Sequence, residues 1–121
     1  MVGFFWRVGY AVCGRVYLGR GIVRRVAAKS TLAAHFGAMA ERDGQTLLID
    51  ADPQGSLAFW YDRRASETPI LVKASAGEIE GTLRDARAEG IAWTIIDSPP
   101  HNAPLIGSLM SRATVTVIPV R

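Results

Sequence analysis

Acidic residues are missing from the first third of the chain. Residues 1–40 contain no Asp or Glu but six basic residues, whereas residues 41–121 contain all eleven acids and eight basic residues. The net charge of +3 therefore conceals a basic segment followed by an acidic one. Such asymmetry is typical of an arm that contacts nucleic acid or a membrane surface, and it also occurs in a leader without a partner. Charge alone leaves both interpretations open.

Cysteine, histidine and long apolar runs are also scarce. The single cysteine, Cys13, excludes an intramolecular disulfide and is typical of a reducing compartment. With His35 on a predicted helix and His101 in a predicted loop, the two histidines argue against a metal enzyme. No run reaches the roughly 18 apolar residues of a membrane span, and arginines interrupt the apolar leader, unlike an export signal. We expect a cytoplasmic protein that does not contact a membrane.

Strand and helix signals alternate along the chain. Short, almost wholly apolar runs are typical of strands buried on both faces, and the helices between them fit crossover connections. This pattern predicts an α/β domain over 24–121, with a parallel sheet and flanking helices, preceded by a poorly specified basic leader over 1–23. The predicted strands are 10–18 (in the leader), 46–50, 69–75, 91–97 and 113–120, and the predicted helices are 30–43, 57–64, 78–90 and 103–112.

Several side chains are expected to serve packing or solubility alone. Met39 and Met110 lie at apolar helix positions and are predicted to be core residues. The aromatic residues 59–61 are expected to pack on their helix, with base stacking as the alternative. Arg63 and Arg64 are expected on a solvated face, with DNA contact as the alternative.

Two predicted strands end in acids at the edge where parallel sheets bind ligands. Asp50 is the last residue of one predicted strand, and Asp52 follows that strand. Asp97 is the last residue of another. Lys29 and Ser30 begin a predicted helix, whose free N–H groups favour phosphate oxygens. The set suits a nucleoside triphosphate with Mg²⁺, in which lysine contacts phosphates, the hydroxyl and Asp97 hold the ion, and another acid positions water. Taken singly, each acid is more often a turn or cap residue than a ligand.

Three motifs carry a family resemblance. LLIDADPQGS (47–56), IIDSPP (95–100) and VTVIPVR (115–121) occur in that order. With AKST before them, they make residues 28–121 resemble the ParA/MinD group of P-loop ATPases, and within it the plasmid and chromosome partition ParA branch. The resemblance implies a P-loop NTPase-like, three-layer domain that binds ATP and Mg²⁺ and hydrolyses ATP to ADP and phosphate.

The resemblance also implies roles and partners. Family members dimerise around ATP, coat DNA nonspecifically and respond to a ParB-type partner while they separate plasmid or chromosome copies. Homodimerisation, or pairing with an intact relative, is therefore expected here. The implied nucleotide-binding residues are Arg24, Lys29, Ser30 and Thr31; the implied magnesium ligands are Ser30 and Asp97; the implied catalytic residues are Asp52, which activates water, and Asp50, which supports it.

The segment before Lys29 departs from the family pattern. The family loop reads Lys-Gly-Gly-x-Gly-Lys-Ser/Thr-Thr, and its glycines fall on Arg25, Val26 and Ala28, with its signature lysine on Arg24. Glycine permits φ > 0 and close backbone approach to phosphates, which other residues resist at a cost of about 1 kcal/mol or more. We therefore expect impaired ATP binding and hydrolysis.

Two further departures concern the rest of the domain. No strand of the usual family pattern leads into the loop, and the chain ends before the elements that would hold adenine. Both suggest a truncated, incomplete three-layer domain. A shifted reading frame upstream of about residue 27 would explain the abrupt loss of acids and glycines.

Two alternatives stay open beside an impaired ATPase. The chain could be a non-catalytic pseudo-ATPase or fragment that binds a partner, or DNA through its basic residues, Arg7, Arg15, Arg20, Arg24 and Arg25. A two-component receiver also gathers acids at strand ends, but the lysine that such a protein places after a late strand is missing here.

Overall fold

The computed structural model describes residues 10–12, 28–99 and 102–117. Each helix and strand predicted from residue 28 onward is present, and most begin or end one to three residues from the predicted bounds. The elements are β1 (Tyr10–Val12), α1 (Ala28–Ala40), β2 (Thr46–Asp50), α2 (Ser56–Asp62), β3 (Ile70–Lys73), α3 (Ile79–Ala88), β4 (Trp93–Asp97), α4 (Ala103–Arg112) and β5 (Val115–Val117).

The strands form one parallel sheet in the order β3-β2-β4-β1-β5. Strands that follow one another along the chain are linked through helices, as parallel pairing requires. The predicted α/β class with a parallel sheet and flanking helices is confirmed. In the part of the chain that the structure describes, no helix is long and apolar enough to cross a bilayer.

β1 corrects one expectation from the sequence. It lies between β4 and β5, with Ala11 beside Ile96 and Val12 beside Asp97, so a strand does precede the loop. The strand predicted over 10–18 is present at its first three residues, and the remainder lies outside the described residues. A three-residue strand has no alternation that a sequence pattern can reveal, since its place depends on neighbours distant in the chain.

Two apolar clusters place helices on both faces of the sheet, which makes three layers. Successive side chains of a strand point to opposite faces, so Leu48 and Ile95 lie on one face while Leu47, Ile49 and Ile96 lie on the other. The first face is covered by α1 and α2 through Ala33, Ala34 and Leu57. The second face is covered by α3 and α4 through Ile79, Ala86 and Leu109.

The methionines predicted to be core residues are exposed, so that prediction was wrong. Met39 is 65% exposed and Met110 39% exposed. On α1 the buried stripe consists of small residues, Ala33, Ala34 and Gly37, and a carbon built at Cβ of Gly37 would lie 2.5 Å from Leu48 Cδ2. Because α1 packs so closely on β2, its larger Met39 side chain points away from the sheet.

Candidate functional site

α1 brings a hydroxyl against the carboxylate that ends β4. Ser30, in the first turn of α1, donates from Oγ to Oδ2 of Asp97 over 2.7 Å, although 67 residues separate them. Asp97 is fully buried and Ser30 half-buried. The structure therefore joins the two residues predicted to hold magnesium. The contact also places the amino terminus of α1 at the carboxyl edge of the sheet.

Two other predicted residues lie in the same helical turn. Lys29 precedes Ser30 in α1, and Thr31 follows it with an exposed side chain. The unpaired N–H groups of a first helical turn and the helix dipole both favour an anion at this position. Arg24, the fourth predicted nucleotide-binding residue, lies outside the described residues.

Asp50 anchors the chain that follows β2. Its Oδ1 accepts from the backbone N–H of Asp52 at 3.1 Å, and its Oδ2 accepts from that of Ala58 at 3.0 Å. Ala58 is in the first turn of α2, whose N–H groups lack helical partners. The buried carboxylate thus fixes both the turn after β2 and the start of α2.

Asp52 lies in the turn that Asp50 holds. Its Oδ1 accepts from the N–H of Gln54 at 3.0 Å, and its carbonyl oxygen accepts from the N–H of Gly55 at 2.9 Å. Gly55 has φ 65°, a left-handed conformation that glycine adopts without strain, and it precedes α2. Asp52 is half-buried, so its position is fixed while its side chain keeps access to solvent.

Hydrogen bonds connect the carboxyl ends of β2, β3 and β4. Asp50 is the register partner of Asp97 on one side and of Lys73 on the other. The N–H of Ala51 donates to the Asp97 carbonyl at 2.9 Å, and that of Ala74 donates to the Asp50 carbonyl at 3.1 Å. Asp50, Asp52 and Asp97 therefore share one edge, as predicted.

Lys73 is a member of this edge that the sequence analysis missed. It is exposed and ends β3 beside Asp50. The signal was its place within the predicted strand 69–75, but only the register shows that β3 stops in line with β2. The edge thus carries a lysine in addition to Lys29.

The oxygen donors at this edge suit magnesium. A hydroxyl and one carboxylate are a typical protein contribution, because Mg²⁺ keeps several waters and takes further oxygens from phosphates. Across 10–12, 28–99 and 102–117, no three His, Cys, Asp or Glu side chains gather into a metal cage. An ion at Ser30 and Asp97 would therefore be completed by water and by phosphate oxygens.

A parallel sheet between two helical layers, with a helix amino terminus and acids at its carboxyl edge, is consistent with a partial P-loop NTPase-like fold. No family model matches the chain. The chain is similar to the protein named "Maintenance of carboxysome distribution protein A" of Gloeobacter kilaueensis, with 27% identity over 93 residues. The match covers 75% of this chain and 42% of that protein, so the chain spans less than half the length of this curated relative.

Proposed function

We propose that the chain is a ParA/MinD-type nucleotide-binding protein of a positioning system, in which ATP binding and hydrolysis are impaired. The observation that supports this function is the 2.7 Å contact between Ser30 Oγ and Asp97 Oδ2. It pairs the hydroxyl after the loop lysine with the acid of the IIDSPP motif, as binding of Mg²⁺ with a nucleotide requires. The resemblance to the partition branch makes plasmid or chromosome DNA the proposed cargo.

The related protein of Gloeobacter kilaueensis is named for carboxysome distribution, which is also a positioning task. Carboxysome distribution and DNA partition are both positioning tasks, but they differ in the cargo that is positioned. The proposal for this chain is therefore positioning in the cytoplasm, with DNA as the specific cargo to be tested.

The proposed roles follow the geometry of the edge. Ser30 and Asp97 would hold Mg²⁺, which would supply positive charge against the phosphates. Lys29, Thr31 and the α1 amino terminus would bind the phosphate oxygens. Arg24 would contribute a further cation.

Water would be oriented by Asp52, whose carboxylate is fixed in the turn but open to solvent. Asp50 would act as a positioning residue, because its carboxylate holds the Asp52 N–H and the start of α2. If this turn were held less firmly, the Asp52 carboxylate could move away from the attacking water. The rate of hydrolysis would then fall, because the reaction depends on the orientation of that water.

Impairment is proposed on the basis of the loop before Lys29. Arg25, Val26 and Ala28 stand where the family has glycine. Side chains there resist the backbone conformations that cradle phosphates and occupy the space the phosphates need. Ala28 begins α1, so it is incorporated in the helix at the point where the family loop would still bend around phosphate.

The second candidate is a binding module without catalysis. It is favoured by the same loss of glycines and by the absence of acids from residues 1–40. Such a module would bind DNA through its basic residues, pair with an intact relative or contact a ParB-type partner. Binding to DNA would weaken steeply with salt, because it releases counterions.

Mg-ATP binding tests the proposal directly. A ligand at about 100 times its dissociation constant stabilises a fold by roughly 2.7 kcal/mol; we expect a much smaller thermal shift for this chain at millimolar Mg-ATP. The combined substitutions Arg25→Gly, Val26→Gly and Ala28→Gly should increase the shift. Adding Asp97→Asn should remove that gain, whereas the control Asp85→Asn, at an exposed position of α3, should preserve it.

Each outcome has a distinct meaning. If the glycine variant gains no affinity, the phosphate loop is not at residues 24–30. If the gain survives Asp97→Asn, magnesium is not held by the Ser30–Asp97 pair. If the unmodified chain shows no shift but retards duplex DNA in a salt-dependent way, the binding module is the better description.

A further inference from the structure

A cleft with charged side chains in its lining lies at the opposite edge of the sheet from Ser30 and Asp97. It has a volume of about 230 Å³ and lies between the end of α1 and the loop that leads into β3. Glu41 and Arg42 come from the first side, and Arg64, Ser66 and Thr68 from the second. Since β2 and β3 begin next to these residues, the cleft is at the amino-terminal edge of the sheet.

Arg64 lines this cleft, and one nitrogen of its half-buried guanidinium side chain is buried. Its guanidinium carbon lies 4.6 Å from the centre of the Trp60 ring, a stacking arrangement that favours a cation. Its NH1 atom is fully buried and has no hydrogen-bond partner among the residues that the structure describes. Leaving a charged donor buried without an acceptor is costly. The expectation that Arg64 lies on a solvated face was therefore wrong.

The remaining lining groups do not satisfy this donor. Glu41 is the acid of the cleft, and its Oε2 accepts from the backbone N–H of Thr46 at 2.9 Å. Arg42 adds a second guanidinium, so the lining carries two cations and one anion. The chemistry of the cleft therefore favours an acceptor with negative charge.

The loop of the cleft is held in place before any ligand arrives. Ser66 Oγ donates to the carbonyl of Thr68 at 3.0 Å and accepts from the Thr68 N–H at 3.3 Å. Tyr61 donates its hydroxyl to the carbonyl of Glu67 at 2.8 Å. A preformed wall reduces the ordering cost of binding.

We propose that this cleft binds a small oxyanion, a carboxylate or phosphate group, with Arg64 as the main donor and Arg42 as the second. A planar guanidinium presents paired donors that match both groups. The volume of the cleft, about 230 Å³, and the presence of the Glu41 carboxylate favour a small anion over the backbone of duplex DNA. This site is separate from the proposed nucleotide site, so either can fail without the other.

Amide and guanidinium NMR signals can test the site. Inorganic phosphate and, in a second series, acetate are titrated into the ¹⁵N-labelled chain at constant ionic strength. We expect saturable shifts at the amides of residues 64–68 and at Arg64 Nε–H. Arg64→Gln should weaken binding about tenfold or more, as expected for loss of a charge-assisted hydrogen bond, and Arg42→Gln should weaken it less.

The matched control is Arg84→Gln. Arg84 is an exposed arginine on α3, where its Nε lies 3.6 Å from Oδ1 of Asp85. Its substitution should leave the titration unchanged. If Arg64→Gln disrupts the fold, Arg64→Lys preserves the charge but removes the planar fork, and we expect several-fold weaker binding. The two anion series show whether phosphate or carboxylate is preferred.

Three results would overturn the site. They are shifts that stay linear with anion concentration, an affinity unchanged in a folded Arg64 variant, and shifts at residues 64–68 caused by duplex DNA but not by free anions. Saturable binding that depends on Arg64, seen even when the nucleotide site is disabled by Lys29→Ala, would support it.

Discussion

The ends of β2 and β4 carry the same side chain in the same row of the sheet, but in different surroundings. Asp50 and Asp97 are register partners and both are buried. Asp50 accepts from two backbone N–H groups, whereas Asp97 accepts from the hydroxyl of Ser30. In the hydrogen bonds that join the described residues, the two carboxylates thus have different kinds of donor.

The difference in donors suggests that one carboxylate holds the backbone in place while the other can contact a ligand. Backbone donors cannot turn away without moving the chain, so Asp50 is committed to the turn and to α2. A hydroxyl can rotate, and its oxygen can also bind a cation, so the Ser30–Asp97 pair can open toward a ligand. In the proposed magnesium site, we therefore expect Asp97 rather than Asp50 to contact the ion directly.

The strongest test of this comparison substitutes amides for the two carboxylates. Asp50→Asn should destabilise the fold by about 2–3 kcal/mol, because an NH₂ group would face a backbone N–H that needs an acceptor. Asp97→Asn should cost less than Asp50→Asn, because the amide oxygen can still accept from the Ser30 hydroxyl. Urea unfolding midpoints followed by circular dichroism measure both. Equal losses in the two variants would contradict the distinction.

The next test alters the packing of α1, the helix that carries Ser30, against β2. Gly37→Ala places a methyl group against the buried Leu48 side chain, and overpacking of this kind costs about 1–3 kcal/mol. The gain in helix propensity, about 1 kcal/mol, offsets part of that cost. We expect a net destabilisation of roughly 1 kcal/mol, measured by thermal unfolding.

Gly107→Ala on α4 is the matched control for this helix substitution. Nothing lies within 4 Å of the added carbon there, so propensity alone should stabilise the fold by up to about 1 kcal/mol. If both variants are stabilised, α1 does not depend on close approach to β2.

The smallest effect concerns a third carboxylate, which accepts from both kinds of donor but is exposed. The hydroxyl and the backbone N–H of Ser75 each donate to Glu78 Oε2 at 2.7 Å. These bonds lower the pKa of Glu78 below its ordinary value of 4.5, and the bond from the hydroxyl has the larger effect. Ser75→Ala should move this pKa back toward that value. A carboxyl-carbon NMR titration measures the change, and an unchanged pKa would contradict the assignment.

The sign of the pH dependence of folding stability follows from the lowered pKa of Glu78. Because the folded pKa of Glu78 is lowered, its contribution to stability is present above pH 4.5 and is lost as the pH falls through the folded pKa. Ser75→Ala should therefore reduce the acid sensitivity of unfolding slightly. The effect at this exposed site should be smaller than that at buried Asp50.

Elements with a clear period could be predicted from the sequence, and elements that depend on neighbours could not. The buried strand Thr46–Asp50 and the helix Ala103–Arg112 occur at the predicted bounds. β1 is present at the first three residues of the predicted strand 10–18, but its place beside β4 was missed, because strand order is set by pairing between distant segments. The exposure of Met39 follows from the close packing of Gly37 on Leu48, which hydropathy cannot register.

The candidate site divides in the same way. The acids at strand ends and the Ser30 hydroxyl were predictable, since parallel strands present their carboxyl ends at one edge. The contact between Ser30 and Asp97 confirms that they meet. The two backbone bonds of Asp50, the place of Lys73 and the cleft at Arg64 were not predictable, because each depends on where a turn or loop comes to lie.

By itself, the order of the residues determined the alternation of strands and helices, the parallel sheet and the types of group available at its edge. These depend on local period and on the rule that parallel strands end together. Only the tertiary structure decided which carboxylate accepts from the backbone, which one faces a hydroxyl, and which arginine has a buried nitrogen without a hydrogen-bond partner among the described residues. Those outcomes depend on distances between segments far apart in the chain, which close packing sets to within a few tenths of an ångström.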